Sequence, residues 1–585
     1  MGRKLSEDTL NKTTKGFKRF NIMANNAPKS EPHEPQSRSG TSTGLRTQAE
    51  QDLITSNRKS ILLDNEYDFS ELNPHSQGEA EAEVVGDKAA AEAEAEVESV
   101  TEVEAHTKTV PEPSTASSKG SSTSAKFLKT HVKSSKVRYK KDGEMRSNFG
   151  DLIFQPRETI FDKEIHYGTK FYGFYIAIWI IIFFFGLNTL CEYHLSEGNI
   201  FNSQIMTLML KDIWKVALTD LAMYLSMYTA VIIQMLIKNN IINWKYVGFT
   251  LQAIFEVLLL WCPFHFADRM EYPWIAQIFL MLHSVVMLMK VHSYAFYNGY
   301  LWEISQELEF SRMFYEKKDS LTDDIVKALE NSITFCKSEI QSQDFPNNIT
   351  FCNFFNYSMF PVLVYQSKYP RNEKIRYDYL FQKVAGIFGI ILLMIAIAQY
   401  RLYPIVMKCL ELQATTSFWF RVQTYPFILI ETIPPFLSVY LLTFYLIWEL
   451  ILNAIAELTR FADREFYRYW WNSVDWNEYA RDWNVPVHKF LLRHVYHSSL
   501  SALHVDKTTA TVLTFGLSSI VHELAMYVIF KKIRFYLTIL QMSQLSLVQL
   551  SRSKWMRDKF ILGNCIFWTG IVFGPSLMCT MYLVF

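Results

Sequence analysis

Runs of apolar residues, each about twenty residues long, recur along the chain from residue 171 onward. An α-helix rises about 1.5 Å per residue, so a run of this length crosses a hydrocarbon core about 30 Å thick. The runs lack the strict alternation of barrel strands, and backbone groups in lipid must bond within their own helix. We therefore predict an all-α polytopic membrane protein with about nine transmembrane helices. The runs are 172–191, 216–237, 247–266, 273–291, 380–403, 426–452, 508–530, 535–550 and 560–585.

The first 150 residues have a different character, being hydrophilic and rich in Ser, Thr, Glu, Ala and Lys. Such a stretch cannot bury enough apolar surface to offset its ordering entropy, so we predict a disordered cytosolic tail over 1–150. The tail contains an acidic run at 78–106, followed by a basic juxtamembrane stretch at 126–141. Residues 151–170 are predicted to lie at the membrane interface, and residues 171–585 to form the membrane core.

Positive charge in the loops predicts the orientation of the helices. With nine spans, the basic stretch before the first span, the loop at 238–245 and the segment 453–507 fall on one side, which the positive-inside rule assigns to the cytosol. The basic residues at 531–534 fall on the opposite side and conflict with this assignment. The run at 535–550 is short and polar compared with the other eight.

The whole-chain composition adds little to this division. The 58 basic and 58 acidic residues give a formal net charge of zero, so charge indicates no nucleic-acid partner. The seven cysteines form no CxxC pair and most lie in or beside apolar runs, which favours free thiols over disulfides. The N-terminus lacks the hydrophobic core of a secretory signal, so the first span is expected to serve as the targeting signal.

His522 and Glu523 lie side by side within the apolar run 508–530. An ionisable side chain at bilayer depth is costly and usually faces a protein interior or a wet cavity. Helical spacing places Ser518, Ser519 and His522 on one stripe that is predicted to border a cavity. Glu523 points about 100° away, so we predict that it pairs with a neighbouring helix. A structurally satisfied histidine is the alternative for His522.

The segment 453–507 is dense in Trp, Tyr and His, with Asn, Arg and Lys between them. Aromatic rings with a polar edge favour the headgroup zone, so short interfacial helices are predicted here. The functional hypothesis is that Arg481, His488, Tyr496 and Lys507 hold an anionic ligand. The histidines of this segment have no carboxylate or cysteine that completes a metal set, so no metal site is predicted.

Five motifs in order along residues 285–585 carry a resemblance to a known family. They are MKVHSYAFYNGYLW (289–302), FPVLVYQSKYPR (360–371), FYRYWWN (466–472), WNVPVHKFLLRHVY (483–496) and VHE (521–523). Together they resemble the sterol acyltransferase branch of the membrane-bound O-acyltransferase family, with the fungal sterol O-acyltransferases most similar.

The resemblance implies a multi-pass enzyme of the endoplasmic reticulum membrane, with a cytosolic N-terminus and an intramembrane reaction chamber. It implies transfer of a long-chain fatty acyl group from acyl-CoA to the 3-hydroxyl of a sterol, making steryl esters for storage. Acyl-CoA is then a co-substrate, no other cofactor is expected, and the enzyme is expected to be a homo-oligomer in contact with membrane lipids.

The family's functional residues match specific positions of this chain. The resemblance implies that His522 and Asn484 are catalytic and that the motif residues support the site. Glu478 replaces an asparagine of the family, and Tyr469 replaces an aspartate of the heptapeptide. The implied CoA contacts are Arg481, His488, Tyr496, Lys507 and Ser518, and the motif residues are Phe466, Tyr467, Trp470, Trp471 and Asn472.

The implied roles agree with elementary chemistry. An alcohol is a poor nucleophile at neutral pH, and a positioned general base supplies about 10²- to 10⁴-fold in rate. A neutral imidazole at His522 suits this task, while Asn484 can donate a hydrogen bond to the developing oxyanion or position the acyl-CoA. Direct transfer is predicted because no cysteine or serine nucleophile is required.

Two other functions remain open at this point. Diacylglycerol acylation uses the same family and shares the FYxxWWN pattern, so the preference for a sterol depends on the motifs around 289–302, 360–371 and 491–499. A polytopic transporter would also bury His and Glu. It would be expected to have inverted repeats, broken helices and charged residues on several spans, and no internal repeat is evident.

Overall fold

A computed structural model describes residues 138–139, 145–146 and 152–585, apart from 153, 165–168, 171, 197, 199–202, 321–322, 504 and 557–558. The chain divides into two units, Met1–Pro111 and Glu112–Phe585, and every described residue belongs to the second. The predicted disorder of residues 1–150 therefore lies almost wholly outside the described residues. Within that stretch, β1 (Arg138–Tyr139) and β2 (Met145–Arg146) form a short antiparallel pair.

The second unit is helical, as the apolar runs predict. Four stretches have π-helical geometry: Trp244–Gly248, Ala398–Leu402, Tyr445–Ile451 and Leu491–Tyr496. The α-helices are α1 Ile160–Glu164, α2 Tyr172–Ser196, α3 Gln204–Leu210, α4 Ile213–Ser226, α5 Tyr228–Lys238, α6 Phe249–Arg269, α7 Trp274–Tyr315, α8 Asp323–Ser342, α9 Phe351–Met359, α10 Tyr377–Ile397, α11 Tyr403–Thr415, α12 Phe418–Phe444, α13 Leu452–Leu458, α14 Trp476–Asp482, α15 Val485–Phe490, α16 His497–Ala502, α17 Lys507–Phe530, α18 Tyr536–Ser551 and α19 Phe560–Val584.

Eight stretches of the described chain are long and apolar enough to span a membrane. They match eight of the nine predicted runs, so the prediction of about nine spans exceeds this count by one. The missing one is α18, whose sixteen residues are too few and too polar to qualify. The spans are Tyr172–Leu195, Ile213–Lys238, Trp244–Arg269, Trp274–Tyr315, Tyr377–Thr415, Phe418–Leu458, Lys507–Phe530 and Phe560–Val584.

The contacts of α18 nevertheless place its two ends at opposite ends of the helix bundle. At its start, Phe535 N donates to Glu523, about two turns before the end of α17. At its end, Leu550 shares a small cavity with Val474 and Trp476, which belong to the segment that precedes α17. The helix therefore returns along the path that α17 has taken, although it is short.

The basic residues at 531–534 conflict with the predicted orientation, and their contacts neutralise part of that charge. Lys531 Nζ donates to Asp268 Oδ1 at 3.0 Å and to Gln277 Oε1 at 2.6 Å, in the turn between α6 and α7. Arg534 Nη2 donates to the Phe585 carbonyl at 2.8 Å. These side chains therefore fasten α17 to its neighbours at this end.

The segment 453–507 forms the short helices that its composition predicts, and capping residues begin them. Asp475 Oδ1 accepts from Asn477 N and Glu478 N at the start of α14. Asp506 Oδ2 accepts from Thr508 N and Thr509 N at the start of α17. Such caps satisfy the orphan amide groups of a helix N-terminus. Local capping residues therefore fix where α14 and α17 begin.

Close glycine contacts allow α19 to pack against this segment. A Cβ atom added at Gly570 would lie 2.4 Å from Cζ2 of Trp476, and one added at Gly563 would lie 2.8 Å from the Val474 carbonyl. Both distances are far below van der Waals contact. Only glycine therefore permits this approach of helix and segment.

We predict that Gly570→Ala lowers the stability of the purified protein by about 1–3 kcal/mol, because the new methyl group overfills the contact with Trp476. Gly516→Ala is the matched control, since a Cβ there meets nothing within 4 Å. That substitution should be neutral or stabilise by up to about 1 kcal/mol through helix propensity. The thermal unfolding midpoint in detergent measures both, and equal midpoints would contradict the packing argument.

Candidate active site

His522 lies on α17 and is oriented by its own helix. Its Nδ1 atom is 2.8 Å from the carbonyl oxygen of Ser518, one turn earlier. A carbonyl only accepts hydrogen bonds, so Nδ1 carries the proton and Nε2 has the free lone pair. The side chain is exposed at the surface of the protein. The imidazole is therefore held in the tautomer that a general base at Nε2 requires.

Glu523 has the structural role that the sequence predicts. Its carboxylate accepts from Phe535 N at 2.8 Å and from Thr538 N at 3.2 Å, which caps the start of α18. It also accepts from the Tyr582 hydroxyl of α19 at 2.6 Å. The predicted pairing with neighbouring helices is confirmed, and one carboxylate joins three helices.

The predicted polar stripe has buried and exposed members. Ser519 is buried, whereas His522 is exposed. The residues of the stripe span about 100° of the helix, so its two edges meet different surroundings. That the stripe borders a cavity stays a prediction, as does the chamber around His522.

Asn484 begins α15 as its N-cap residue. Its Oδ1 atom accepts from Val487 N at 3.2 Å, so the amide NH₂ group is the part of the side chain that points to other partners. This leaves a hydrogen-bond donor, as the predicted oxyanion role requires. In the described part of the chain no hydrogen bond joins Asn484 to His522.

The π-helical stretch Leu491–Tyr496 anchors the segment that carries Asn484 to the fourth span. His494 Nε2 is 2.8 Å from Ser293 Oγ in α7. Arg493 Nη1 donates to the Tyr365 carbonyl at 3.1 Å, and its guanidinium lies 4.4 Å from the ring centroid of Tyr297. Since α7 also binds α17 through Gln277, the same helix holds both parts of the candidate site.

The five implied CoA contacts occupy two places. Arg481, His488 and Tyr496 lie in the segment 476–496, with Tyr496 buried. Lys507 is exposed in the first turn of α17, and Ser518 contributes the carbonyl that orients His522. Arg481 lies close enough to His488 to lower the pKa of its imidazole, while Lys507 and Ser518 lie on the seventh span.

His488, one of the implied CoA contacts, is a neutral group in this structure. Burial, together with the positive charges of Arg481, Arg468 and Lys489, lowers its pKa to about 3. The ring is therefore neutral at pH 7 and can offer only a hydrogen bond. The positive charge of this region comes from the arginine and lysine side chains around it.

The heptapeptide FYRYWWN forms a junction between the segment and the spans. Phe466, Tyr467 and Trp470 are each 2% exposed. The Tyr467 hydroxyl donates to Glu449 Oε2 in the sixth span at 2.7 Å. The Trp471 carbonyl accepts from Trp568 Nε1 of α19 at 3.0 Å. Most side chains of the motif are therefore buried, and they hold the segment against the sixth span and α19.

Asn472 and the two positions that depart from the family lie at the edge of this junction. Asn472 is exposed, and Tyr469 is 38% exposed with its ring against Trp471. Glu478 Oε2 accepts from Val474 N at 2.9 Å and closes the turn before α14. The glutamate therefore has a local structural role in this chain.

Comparisons with known proteins agree with this architecture. The profile of "MBOAT, membrane-bound O-acyltransferase family" matches residues 187–584. The chain belongs to this family. The match includes every candidate site residue and all spans but the start of the first. This acyltransferase therefore carries its catalytic and binding candidates within the family domain.

Named relatives of this membrane-bound O-acyltransferase include fungal enzymes. It is 45% identical over 484 residues to "Sterol O-acyltransferase 2" of Candida albicans, covering 75% of this chain and 79% of the relative. It is 47% identical over 430 residues to "Sterol O-acyltransferase 2" of Saccharomyces cerevisiae, covering 71% and 67%. "Diacylglycerol O-acyltransferase 1" of Dictyostelium discoideum is 33% identical over 238 residues, covering 41% and 37%.

Sequence reasoning missed the ion pair between the fifth and sixth spans. Lys383 of the fifth span pairs with Glu449 of the sixth at 2.5 Å, and His292 Nδ1 lies 3.0 Å from Glu256 Oε2 of the third span. Charged residues on several spans were one of the marks expected of a transporter, and this acyltransferase has them. The available signal was a single charge inside an apolar run.

No group of three or more metal-ligating side chains occurs among the residues that the structure describes. The histidines of the segment are instead involved in packing: His494 contacts the rings of Phe490 and His292.

We predict a pH effect from His488. Its pKa of about 3 in the folded protein lies below the unfolded value of about 6.5, so between these values the unfolded chain binds the extra proton. Stability should therefore fall as pH drops through 6.5, by about 1.4 kcal/mol per pH unit. His488→Gln removes this titration, so its melting midpoint should fall less between pH 7 and pH 5.

His194→Gln is the matched control because that histidine is exposed on the first span. Its midpoint should follow that of the unsubstituted protein over the same range. If His488→Gln also follows it in parallel, His488 is not a buried neutral group.

Proposed function

We propose that this protein transfers a long-chain fatty acyl group from acyl-CoA to the 3-hydroxyl of a sterol, forming a steryl ester. The orientation of His522 carries the chemical part of the proposal, since its Nδ1–H bond to Ser518 leaves Nε2 as the base. The identity of the acceptor is supported by relatives that are named sterol O-acyltransferases and are 45–47% identical. Acyl-CoA is a substrate, and no further cofactor is proposed.

The reaction proceeds in a ternary complex. His522 Nε2 takes the proton of the sterol hydroxyl while the oxygen attacks the thioester carbonyl carbon. The tetrahedral oxyanion accepts a hydrogen bond from the Asn484 amide. The C–S bond then breaks, and the imidazolium returns the proton to the CoA thiolate. The histidine ends in its starting state, and no covalent acyl-enzyme forms.

The CoA moiety binds on the segment 476–496 and at the start of α17. Arg481 and Lys507 supply positive charge to the phosphates, while His488 and Tyr496 offer hydrogen bonds or packing. Ser518 acts through its carbonyl on His522. The basic residues Arg468 and Lys489 lie around His488 and add to the positive field.

The enzyme is proposed to be a multi-pass protein of the endoplasmic reticulum membrane with its N-terminal tail in the cytosol. The distribution of positive charge supports this orientation, because 126–141, 238–245 and 453–507 then lie on the cytosolic side. A homo-oligomer in contact with membrane lipids is also proposed, on the family resemblance alone.

Diacylglycerol acylation is the second candidate, favoured by the 33% identity to a diacylglycerol O-acyltransferase over part of the chain. The two are separated by supplying radiolabelled oleoyl-CoA to microsomes together with ergosterol or with diacylglycerol. We expect label in steryl ester in excess of label in triacylglycerol. Label in triacylglycerol alone would replace the sterol proposal with the second candidate.

We predict that His522→Ala abolishes most ester formation, with a loss of about 10²- to 10⁴-fold in rate at unchanged protein abundance. The rate loss follows because an alanine side chain cannot take the hydroxyl proton. His194→Ala, on the exposed face of the first span, is the matched control and should retain activity. Retained activity in His522→Ala would remove His522 from the mechanism.

A further inference from the structure

The chain just before the first span lies beside the stretch that leads into the heptapeptide. Arg157 forms a parallel β-bridge with Asp463. Arg157 N donates to the Ala462 carbonyl at 2.9 Å, and the Arg157 carbonyl accepts from Arg464 N at 3.0 Å. Residues 154–160, which we call the pre-span segment, therefore lie against the segment that carries the candidate CoA contacts.

Backbone hydrogen bonds also join the heptapeptide to the link between α14 and α15. Arg468 N donates to the Asp482 carbonyl at 2.8 Å, and Val485 N donates to the Phe466 carbonyl at 3.0 Å. Asn484 lies between these two bonds along the chain. The position of the link and of its catalytic candidate therefore depends on the heptapeptide.

Four charged side chains, which we call the charge row, connect the pre-span segment to this link. The Arg157 guanidinium pairs with Glu465. Glu465 also accepts from Arg468 Nε at 3.1 Å and from Arg468 Nη2 at 3.2 Å. Arg468 Nη1 in turn lies 3.8 Å from Asp482 Oδ1. The four side chains are 21–30% exposed, so water and salt screen their interactions only in part.

Glu465 is shared by the two arginines of the charge row. Burial raises the pKa of the Glu465 carboxyl, but the positive charges of Arg468 and Arg157 outweigh this effect and hold the pKa below its ordinary value. Without the charge of Arg157, Glu465 would attract Arg468 alone. Arg468 would then be drawn toward Glu465 and away from Asp482.

Asp482 is likewise shared by two arginines, and one of them is an implied CoA contact. Burial raises the pKa of the Asp482 carboxyl, while the positive charges of Arg481 and Arg468 act against that effect. If Arg468 moves away, Asp482 attracts Arg481 more strongly. An arginine that is paired with a carboxylate binds a phosphate less well, because the two anions compete for the same guanidinium.

We propose that Arg157 is a positioning residue for the binding of acyl-CoA. Its pairing with Glu465 leaves Arg468 to Asp482, so that Asp482 does not neutralise the charge of Arg481. Arg157 acts through the charge row and is assigned no substrate contact of its own. This role rests on the proposed binding of the CoA phosphates by Arg481, and it is the same for a sterol or a diacylglycerol acceptor.

The test measures binding of a non-hydrolysable thioether analogue of oleoyl-CoA to the purified full-length protein in lipid nanodiscs, with empty nanodiscs as the lipid background. We expect Arg157→Gln to weaken binding by about fivefold, the size that partly exposed ion pairs support. Arg157→Lys keeps the charge and should bind within about twofold of the unsubstituted protein. Lys163→Gln is the matched control, because Lys163 is an exposed basic residue of the neighbouring α1, and it should bind normally.

A general loss of structure would give a different pattern. In ester formation by Arg157→Gln, the KM for oleoyl-CoA should rise by the same factor while the KM for the acceptor alcohol stays unchanged. Adding Asp482→Asn to Arg157→Gln should restore binding to within about twofold of the unsubstituted protein, because the carboxylate that competes for Arg481 is gone. Further weakening in the double variant would overturn the proposal, since two independent structural losses accumulate.

Equal binding by Arg157→Gln and the unsubstituted protein would overturn the role of Arg157 and leave the proposed function intact. Absence of binding by the unsubstituted protein would overturn the proposed CoA site and the role of Arg157 with it. If Arg157→Gln fails to fold, Asp482→Asn alone tests the last step. That variant should bind the thioether at least as tightly as the unsubstituted protein, and weaker binding would contradict the competition for Arg481.

Discussion

Charged groups in a low-dielectric membrane interior must be neutralised by partners within the protein, and this requirement organises the whole bundle. Glu449 is shared by Lys383 of the fifth span and Tyr467 of the heptapeptide. Glu457, at the end of the sixth span, is bound by Arg464 and by Arg376. Each buried carboxylate joins chain segments that are distant in sequence, so the positions of the spans and of the segment between them depend on these pairs.

The need to neutralise charge inside the membrane also gives His522 and Glu523, which are adjacent, different roles. Glu523 is fixed by amide groups of α18 and by Tyr582, so its charge holds three helices together. Within the described ranges, the hydrogen bond of His522 is to its own helix, through the Ser518 carbonyl, and its Nε2 lone pair stays available. The carboxylate provides the rigidity that a positioned base needs, while the imidazole provides the chemistry. Of these two adjacent ionisable residues, Glu523 has the structural role and His522 has the proposed chemical role.

The segment between the sixth and seventh spans combines both kinds of role. Its aromatic motif is mostly buried against α19 and the sixth span, and its π-helical stretch is fastened to α7. Between these anchors Arg481 lies near a neutral His488, while Lys489 pairs with Asp463 at 3.7 Å. A rigid frame that carries an arginine suits the proposed recognition of a phosphate-bearing substrate.

The sequence by itself determined the helical class, eight of the spans, the helix caps and the family of this protein, because hydrophobic runs and short motifs are local properties. It also gave the direction of Glu523, through helix periodicity. Only the tertiary structure decided the partner of Lys383 and the neutral state of His488. Those depend on residues such as Glu449, sixty-six positions from Lys383, and on burial that arises only when the helices pack. The short α18 also needed its contacts, since length and polarity argued against it.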